Sequence, residues 1–133
     1  MLVFATGHLQ GEEGERTVAL DWAALARPHQ TVVIYMGVGT LPIICAQLIA
    51  HGLPASTPAA MIERATLPGQ RSIVGTLQTL PQLSVAYGVN PPALVMIGDT
   101  VALHARIGSS AEVLTGFPAV VDAASPQALA CTA

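Results

Sequence analysis

The chain has 133 residues, of which 52% are hydrophobic and only 10% charged, and its formal net charge is -3. This length is typical of a single domain, and the apolar content excludes an intrinsically disordered chain. Five arginines and no lysine exclude a strongly basic nucleic-acid-binding surface and lysine-based Schiff-base chemistry within the chain. So few charges predict that another domain or a second subunit covers part of the apolar surface.

The cysteine content and the uncharged stretches bear on cellular location. Cys45 and Cys131 are too few for a disulfide scaffold and favour a reducing, cytoplasmic compartment. The uncharged stretch 31–50 is long enough for a membrane helix, but its glycines and Pro42 divide it into a strand, a turn and a helix. The N-terminus lacks a basic segment followed by an apolar core, so neither a signal peptide nor a membrane partner is expected.

Apolar segments of two kinds alternate along the chain. Strands are predicted at residues 2–6, 32–36, 58–64, 70–77 and 93–98. Helices are predicted at residues 22–26, 42–51 and 80–86, with a helix or turn at 100–107. Residues 11–16 are interpreted as a charged surface loop, and residues from Gly108 onward as a loosely ordered tail. This alternation predicts an α/β domain with a mixed, mainly parallel sheet of about five strands flanked by helices.

Few residues point to chemistry by their type and spacing alone. The Gly37-Val38-Gly39 turn could let the backbone approach a ligand, but a dinucleotide fingerprint would need glycine in place of Pro42. A simple tight turn is an equally good interpretation. The four histidines have no metal-binding spacing, and no G-x-S-x-G elbow is present. No catalytic or metal-binding residue is therefore predicted.

For two further sets of residues, the sequence favours a structural role. Glu63-Arg64 and Gln70-Arg71 bracket a short loop between predicted strands, which favours a solvated hairpin with local ion pairs. Cys45 falls on or beside the core face of a predicted helix and is interpreted as a small buried hydrophobe.

A series of short motifs occurs in a recognisable order. The motifs are T-G-H (6–8), L-D-W (20–22), T-V-V-I-Y-M-G (31–37), L-I-A-H-G (48–52), P-A-A-M-I-E-R-A-T (58–66), Q-R (70–71), G-T-L (75–77), P-A-L-V-M-I-G (92–98) and V-A-L (101–103). In this order and spacing they resemble the C-terminal half of the uroporphyrinogen-III C-methyltransferases, within the tetrapyrrole methylase family. The resemblance covers about residues 2–107.

The resemblance implies a particular domain organisation. Residues 1–107 correspond to the C-terminal lobe of a tetrapyrrole methylase, and residues 108–133 form the tail. The family's glycine-rich G-x-G-P-G-D and G-G-D segments have no counterpart here, so the N-terminal lobe is expected to be absent. In the family the cofactor lies between the lobes, and the proposed acid and base belong to the N-terminal one. The isolated lobe is therefore expected to be inactive.

For the whole enzyme the resemblance implies methyl transfer from S-adenosylmethionine to uroporphyrinogen III. The products are S-adenosylhomocysteine and precorrin-2, on the route to siroheme or cobalamin. Three positions match cofactor-binding residues of the family: Met36 in the Y-M-G turn, Ala65 and Ala93. Small side chains allow adenosine to approach closely, and a flexible thioether can pack against it. Ala65 stands where some relatives have glycine.

The resemblance also implies binding partners, and two alternative functions stay open. The family forms homodimers, which the resemblance implies here as well. Arg64, Arg71 and Arg106 are candidates for binding substrate carboxylates, although a structural role is favoured for each. One alternative is a lobe of a methyltransferase that acts on a later precorrin, and another is a non-catalytic α/β dimerisation module. The L-D-W and Y-M-G motifs favour the uroporphyrinogen enzyme over the later precorrin methyltransferases.

Overall fold

The computed structural model describes residues 1–9, 17–107 and 111–116. The strands are β1 (Leu2–Thr6), β2 (Thr31–Tyr35), β3 (Pro58–Glu63), β4 (Arg71–Thr76), β5 (Ala93–Ile97) and β6 (Glu112–Thr115). The helices are α1 (Trp22–Leu25), α2 (Leu41–Ala50), α3 (Leu80–Ala86) and α4 (His104–Ile107), and a 3-10 helix spans Asp99–Leu103. The predicted strands and helices therefore form within one or two residues of their expected bounds. The predicted loop at 11–16 lies outside the described residues.

Local sequence signals explain where the first two helices begin and end. The Asp21 carboxylate accepts a hydrogen bond from the backbone N–H of Ala24 at 3.0 Å and so caps α1. Pro42 lies in the first turn of α2, where its missing N–H costs no helical hydrogen bond. Gly52 ends α2 with a φ of 113°, a conformation that favours glycine.

The strand β5 lies between β2 and β3 in the sheet, although it follows both of them in the sequence. The order is β1-β2-β5-β3-β4-β6. Within the described residues, β5 runs antiparallel to β2 and to β3, β3 is antiparallel to β4, and only β1–β2 and β4–β6 are parallel. The α/β class with a mixed sheet flanked by helices is confirmed. The expectation of a mainly parallel sheet of about five strands is wrong in detail. The described residues form six strands, and most neighbouring pairs are antiparallel, because β3 and β4 form a hairpin and β5 runs in the opposite direction to β2 and β3.

The hydrophobic core lies on one face of this sheet. Side chains of α1, α2 and α3 pack there against alternate strand residues such as Ile34 and Met61, which are fully buried. On the opposite face, Leu2 and Phe4 of β1 are 56% and 60% exposed. The 3-10 helix covers part of that face through the buried Val101. The two faces of the sheet are therefore unequally protected from water.

The predicted loosely ordered tail contains a strand. In β6, Val113 pairs with Ser72 and Leu114 with Ile73, parallel to β4. Residues 112–115 of the predicted tail are therefore an ordered strand, because their backbone groups pair with the otherwise free edge of β4. Residues 108–110 and 117–133, including Cys131, lie outside the described residues.

The longest helix in the described part of the chain, α2, has ten residues. None of the described helices has the length and apolar character needed to cross a bilayer.

Candidate functional site

Three strand ends meet at one edge of the sheet. Because β5 runs antiparallel to both neighbours, its first residue, Ala93, lies beside the last residues of β2 and β3. Glu63, which ends β3, pairs directly with Ala93. Met36 follows β2 directly and Ala65 follows β3 after one further residue. The topology therefore brings all three predicted cofactor-binding residues to the same edge.

An open pocket of about 280 Å³ lies at this edge. Its lining comes from the ends of β2 and β3, the turn after β3 and the start of β5: Tyr35, Ile62, Arg64, Ala65, Leu67, Pro92, Ala93 and Leu94. Ala65 and Ala93 thus lie in one pocket. Met36 does not line it; this side chain follows the pocket residue Tyr35 and is 61% exposed.

Left-handed backbone conformations cluster around the pocket. The φ angles of Met36, Arg64 and Thr66 are 54°, 48° and 68°. His29 is the fourth described non-glycine residue of this kind. Such a conformation costs a non-glycine residue about 1 kcal/mol or more, and strained backbone concentrates at functional sites. The clustering is thus independent support for a binding function at this edge.

Hydrogen bonds fix the turn that follows β3. The backbone N–H of Arg64 donates to the carbonyl oxygen of Pro92 at 3.0 Å, which ties this turn to the segment leading into β5. The backbone N–H of Thr66 donates to Oε1 of Gln70 at 2.6 Å. These two bonds hold the turn around Ala65 to Gln70 and to the segment before β5.

A buried ion pair lies at the end of β3. Arg71 Nε donates to Glu63 Oε2 at 2.7 Å, and Arg71 Nη2 lies 2.6 Å from the same oxygen. The N–H of Asn90 donates to Glu63 Oε1 at 3.1 Å, and the Arg71 guanidinium also donates to the carbonyl oxygen of Tyr87 at 3.3 Å. Burial raises the pKa of Glu63, but the hydrogen bonds from Arg71 and Asn90 outweigh it and hold that pKa below its ordinary value.

The predicted hairpin with a local ion pair is confirmed, but the expectation that it is solvated is wrong. Glu63 is only 6% exposed, and its bonds join β3, β4 and the segment before β5. The ion pair therefore has a structural role behind the pocket, and Arg71 is not free for a ligand.

The glycine turn after β2 has a packing role. A Cβ atom on Gly37 would lie 3.2 Å from Cδ1 of Ile44, and one on Gly7 would lie 3.0 Å from Cα of Gly37. The Thr40 hydroxyl donates to the carbonyl oxygen of Gly7 at 2.7 Å. The close approach of β1, β2 and α2 thus accounts for the glycine at position 37, as the tight-turn interpretation predicts.

The described residues form no metal site, because no three His, Cys, Asp or Glu side chains among them come together. Cys45 is a buried free thiol on α2, and burial raises its pKa to about 12. The thiol therefore stays protonated, and its interpretation as a small buried hydrophobe is confirmed.

Tyr35, Leu67 and Pro92 line the pocket but are missed from the sequence. Tyr35 and Pro92 are direct neighbours of Met36 and Ala93, so proximity to the matched positions is the signal that could have found them. Leu67 offers no such signal, because its role depends on the conformation of the turn.

Comparison with known proteins assigns the family. Residues 3–81 match the Tetrapyrrole (Corrin/Porphyrin) Methylases. The chain belongs to the tetrapyrrole methylases. The siroheme synthase of Nitrosomonas europaea is 49% identical to this methylase over 105 residues, which cover 79% of this chain and 21% of the relative. That of Thioalkalivibrio sulfidiphilus is 48% identical over 106 residues, covering 80% and 21%. The chain thus spans about a fifth of the length of these curated relatives.

Solved structures of other methylases share the fold. Native uroporphyrin III C-methyl transferase from Thermus thermophilus is 31% identical to this tetrapyrrole methylase, with a TM-score of 0.62 over 79% of this chain and 43% of that one. The Thermus thermophilus enzyme complexed with S-adenyl homocysteine is 32% identical, with a TM-score of 0.58 over 77% and 43%. A cobalt precorrin-4 methyltransferase has a TM-score of 0.61 over 74% and 41%, but its 18% identity shows the fold alone.

Proposed function

We propose that this chain is part of an S-adenosylmethionine-dependent uroporphyrinogen-III C-methyltransferase and supplies one wall of its cofactor site. The observation that carries the proposal is that Ala65 and Ala93, distant in sequence, lie in one pocket at a strained sheet edge, with Met36 beside it. The Thermus thermophilus neighbour with bound S-adenyl homocysteine supports this choice of cofactor. The reaction would convert uroporphyrinogen III into precorrin-2 for siroheme or cobalamin.

The pocket is suited to part of such a cofactor. The alanine side chains leave room for a planar adenine near the backbone, and Tyr35, Ile62 and Leu94 provide apolar contact area. Its volume of about 280 Å³ is below the roughly 300–1,000 Å³ typical of sites that enclose a ligand of this size. A second wall, from the N-terminal lobe, would complete the site. When bound, S-adenosylmethionine supplies an activated methyl group, and this wall would position it.

Relatedness favours this reaction over methylation of a later precorrin. The identity is 31% to the uroporphyrin enzyme but 18% to the cobalt precorrin-4 enzyme. The curated relatives are named siroheme synthases, which favours the siroheme branch.

Two further features support a lobe that depends on a larger enzyme. None of the residues that line the pocket is an acid, a histidine or a cysteine, so this wall lacks the side chains that most often remove a proton in enzymes. The chain alone would therefore be inactive. We also place the enzyme in the reducing cytoplasm, since Cys45 is a free thiol.

We also propose that two copies pair through the open sheet face at β1 and β2. Leu2, Phe4 and Tyr35 are 56%, 60% and 49% exposed there. The rings of Phe4 and Tyr35 stack with their centroids 6.3 Å apart, forming one continuous apolar surface. Burying such a surface in a symmetric dimer is the usual way to remove it from water.

Titration of the chain with S-adenosylhomocysteine, followed by backbone amide NMR, tests the cofactor wall. We expect saturable shifts at residues 36–37, 65–66 and 93. A single wall should bind with millimolar rather than micromolar affinity, a loss of about 4 kcal/mol. The Ala65→Leu variant should abolish binding because the larger side chain fills the pocket. The matched Ala46→Leu variant, at an exposed position of α2, should bind like the wild type. Saturable shifts clustered elsewhere would disprove this location of the cofactor.

A further inference from the structure

The three arginines that could bind a substrate carboxylate have different surroundings in the structure. Arg71 is engaged by Glu63 and by the carbonyl oxygen of Tyr87. Arg106 lies on α4 and does not line the candidate pocket. Arg64 alone of these three lines the candidate pocket.

The Arg64 side chain lies across the turn between β3 and β4. A Cβ atom on Gly69 would lie 3.2 Å from Nη2 of Arg64 and 3.4 Å from its Cζ, so the guanidinium rests against the Gly69 backbone. Arg64 also lines a second, open hollow of about 610 Å³, formed by this turn and the start of β6. The guanidinium therefore stands at the border between the apolar pocket and a more polar space.

Arg64 differs from Arg71 in its contacts, although the charge of Arg64 also helps to lower the pKa of Glu63. Within the described part of the chain, its guanidinium has neither an ion pair nor a side-chain hydrogen bond. Its φ of 48° and its backbone hydrogen bond to Pro92 hold the residue at this border. A guanidinium with free N–H donors is a good partner for a carboxylate, to which it can form two parallel hydrogen bonds.

The charges around the hollow limit what it can accept. Arg71 is neutralised by Glu63, and Glu112 of β6 adds a negative charge to the lining. The hollow thus offers one uncompensated cation and one carboxylate that repels anions. This arrangement suits a single carboxylate held at the Arg64 side.

We propose that Arg64 binds a carboxylate side chain of the tetrapyrrole substrate while the rest of the pocket contacts the cofactor. The inference rests on the proposed function, since it names the substrate contact at that same site. Uroporphyrin III, the stable oxidised polycarboxylate macrocycle, is a suitable probe. Arginine Nε–Hε NMR signals report directly on the side chain involved.

Binding of uroporphyrin III and of S-adenosylhomocysteine is measured separately for each variant of the full chain. In the wild type we expect uroporphyrin III to shift the Arg64 Nε–Hε signal. The Arg64→Gln variant should bind uroporphyrin III about tenfold more weakly, as expected for a lost charge-assisted hydrogen bond, and Arg64→Lys should retain part of the affinity. Affinity for S-adenosylhomocysteine should fall less than affinity for the porphyrin, because Arg64 is only one of the residues that line the cofactor wall. Glu112→Gln should bind the porphyrin about two- to threefold more tightly, because a like charge is removed.

The matched control is Arg106→Gln, which removes the same charge from α4 and should leave porphyrin affinity unchanged. Four results would each overturn the inference: equal losses for Arg64→Gln and Arg106→Gln, an equal loss of cofactor affinity in Arg64→Gln, no loss in Arg64→Gln, or no porphyrin binding by the wild type. Wild-type binding of S-adenosylhomocysteine at residues 36–37, 65–66 and 93 tests the proposed function separately. Arg64 can therefore fail as a substrate contact while the cofactor wall stands.

Discussion

A single buried carboxylate, Glu63, connects the stability of the fold to the geometry of the pocket. Its two oxygens accept hydrogen bonds from Arg71 and Asn90, which belong to different segments. Its backbone pairs with Ala93 on one side and with Arg71 on the other. Loss of this side chain would therefore loosen the strand ends that carry the pocket.

Replacing Glu63 with glutamine should lower the free energy of unfolding by about 2 kcal/mol, because the Arg71 guanidinium keeps its partly buried position without a counterion. Urea denaturation measures this loss. The matched Glu112→Gln variant removes an exposed carboxylate from β6 and should change stability by no more than about 0.5 kcal/mol. Equal losses in the two variants would contradict a structural role for Glu63.

The lowered pKa of Glu63 predicts a pH dependence with a definite sign. A carboxyl group whose pKa is lower in the folded state stabilises the fold above its unfolded-state pKa, about 4.3 for glutamate. That stabilisation is lost as the pH falls through the lowered folded-state value. The wild type should therefore lose more stability than Glu63→Gln when the pH is reduced from neutrality into the acid range. Parallel curves of unfolding free energy against pH would contradict this prediction.

At this scale the sequence predicts some site residues and not others. Ala65 and Ala93 could be assigned because E-R-A-T and P-A-L stand at strand ends that hydrophobic patterning also marks. Their cofactor-binding role stays a prediction. The sequence does not indicate that Arg71, rather than Arg64, forms the ion pair with Glu63, since both are arginines beside a turn. Only the fold decides which of them meets the Glu63 carboxylate.

Among the elements, β5 depends on a close approach between backbones. Gly98 follows this strand with a φ of 131°, and its N–H donates to the carbonyl oxygen of Pro58 at 2.9 Å. A Cβ atom there would lie 2.5 Å from the carbonyl oxygen of Gln30. Glycine is therefore required by both conformation and space.

The Gly98→Ala variant should unfold with a free energy at least about 2 kcal/mol below that of the wild type, since the added methyl group meets the backbone. Gly39→Ala is the matched control, because a Cβ atom at that position meets nothing within 4 Å. It should change stability by no more than about 0.5 kcal/mol. Thermal or urea unfolding of the two variants provides the comparison, and similar stabilities would contradict the argument.

The elements themselves were easier to predict than their arrangement. A run of β-branched residues marks β2, a continuous apolar run marks β5, and Pro42 and Gly52 bound α2, so local sequence suffices for these. The direction of β5 depends on contacts with β2 and β3, which local patterning does not encode. The strand β6 is not predicted from local sequence for the same reason. Its four residues form a strand by pairing with β4.

For the whole molecule, we expect that the purified chain does not convert uroporphyrinogen III into precorrin-2 when S-adenosylmethionine is supplied. The pocket is one open wall, and no acid, histidine or cysteine is among its lining residues to accept the proton that methylation releases. Absorbance and mass detection of precorrin-2 test this. Turnover above a no-protein control would contradict it.

The open sheet face should make the chain dimeric at micromolar concentration. Phe4→Ser should shift the mass measured by light scattering toward the monomer value of 13.6 kDa, because it removes one of the two stacked rings from that face. The matched Val85→Ser variant changes a side chain of α3 that is 81% exposed, on the other face of the sheet, and should leave the mass unchanged. A monomeric wild type would contradict the proposed pairing.

The strand order also has a consequence for synthesis on the ribosome. The strand β5 joins β2 to β3, yet it is translated after both of them. Until residues 93–97 emerge, the strands β2 and β3 have no strand between them, so β1 and β2 cannot yet join the β3–β4 hairpin in one sheet. Translation of β5 then unites these strands into one sheet and brings Ala93 to the pocket. The binding edge is therefore assembled late, when most of the described chain has already left the ribosome.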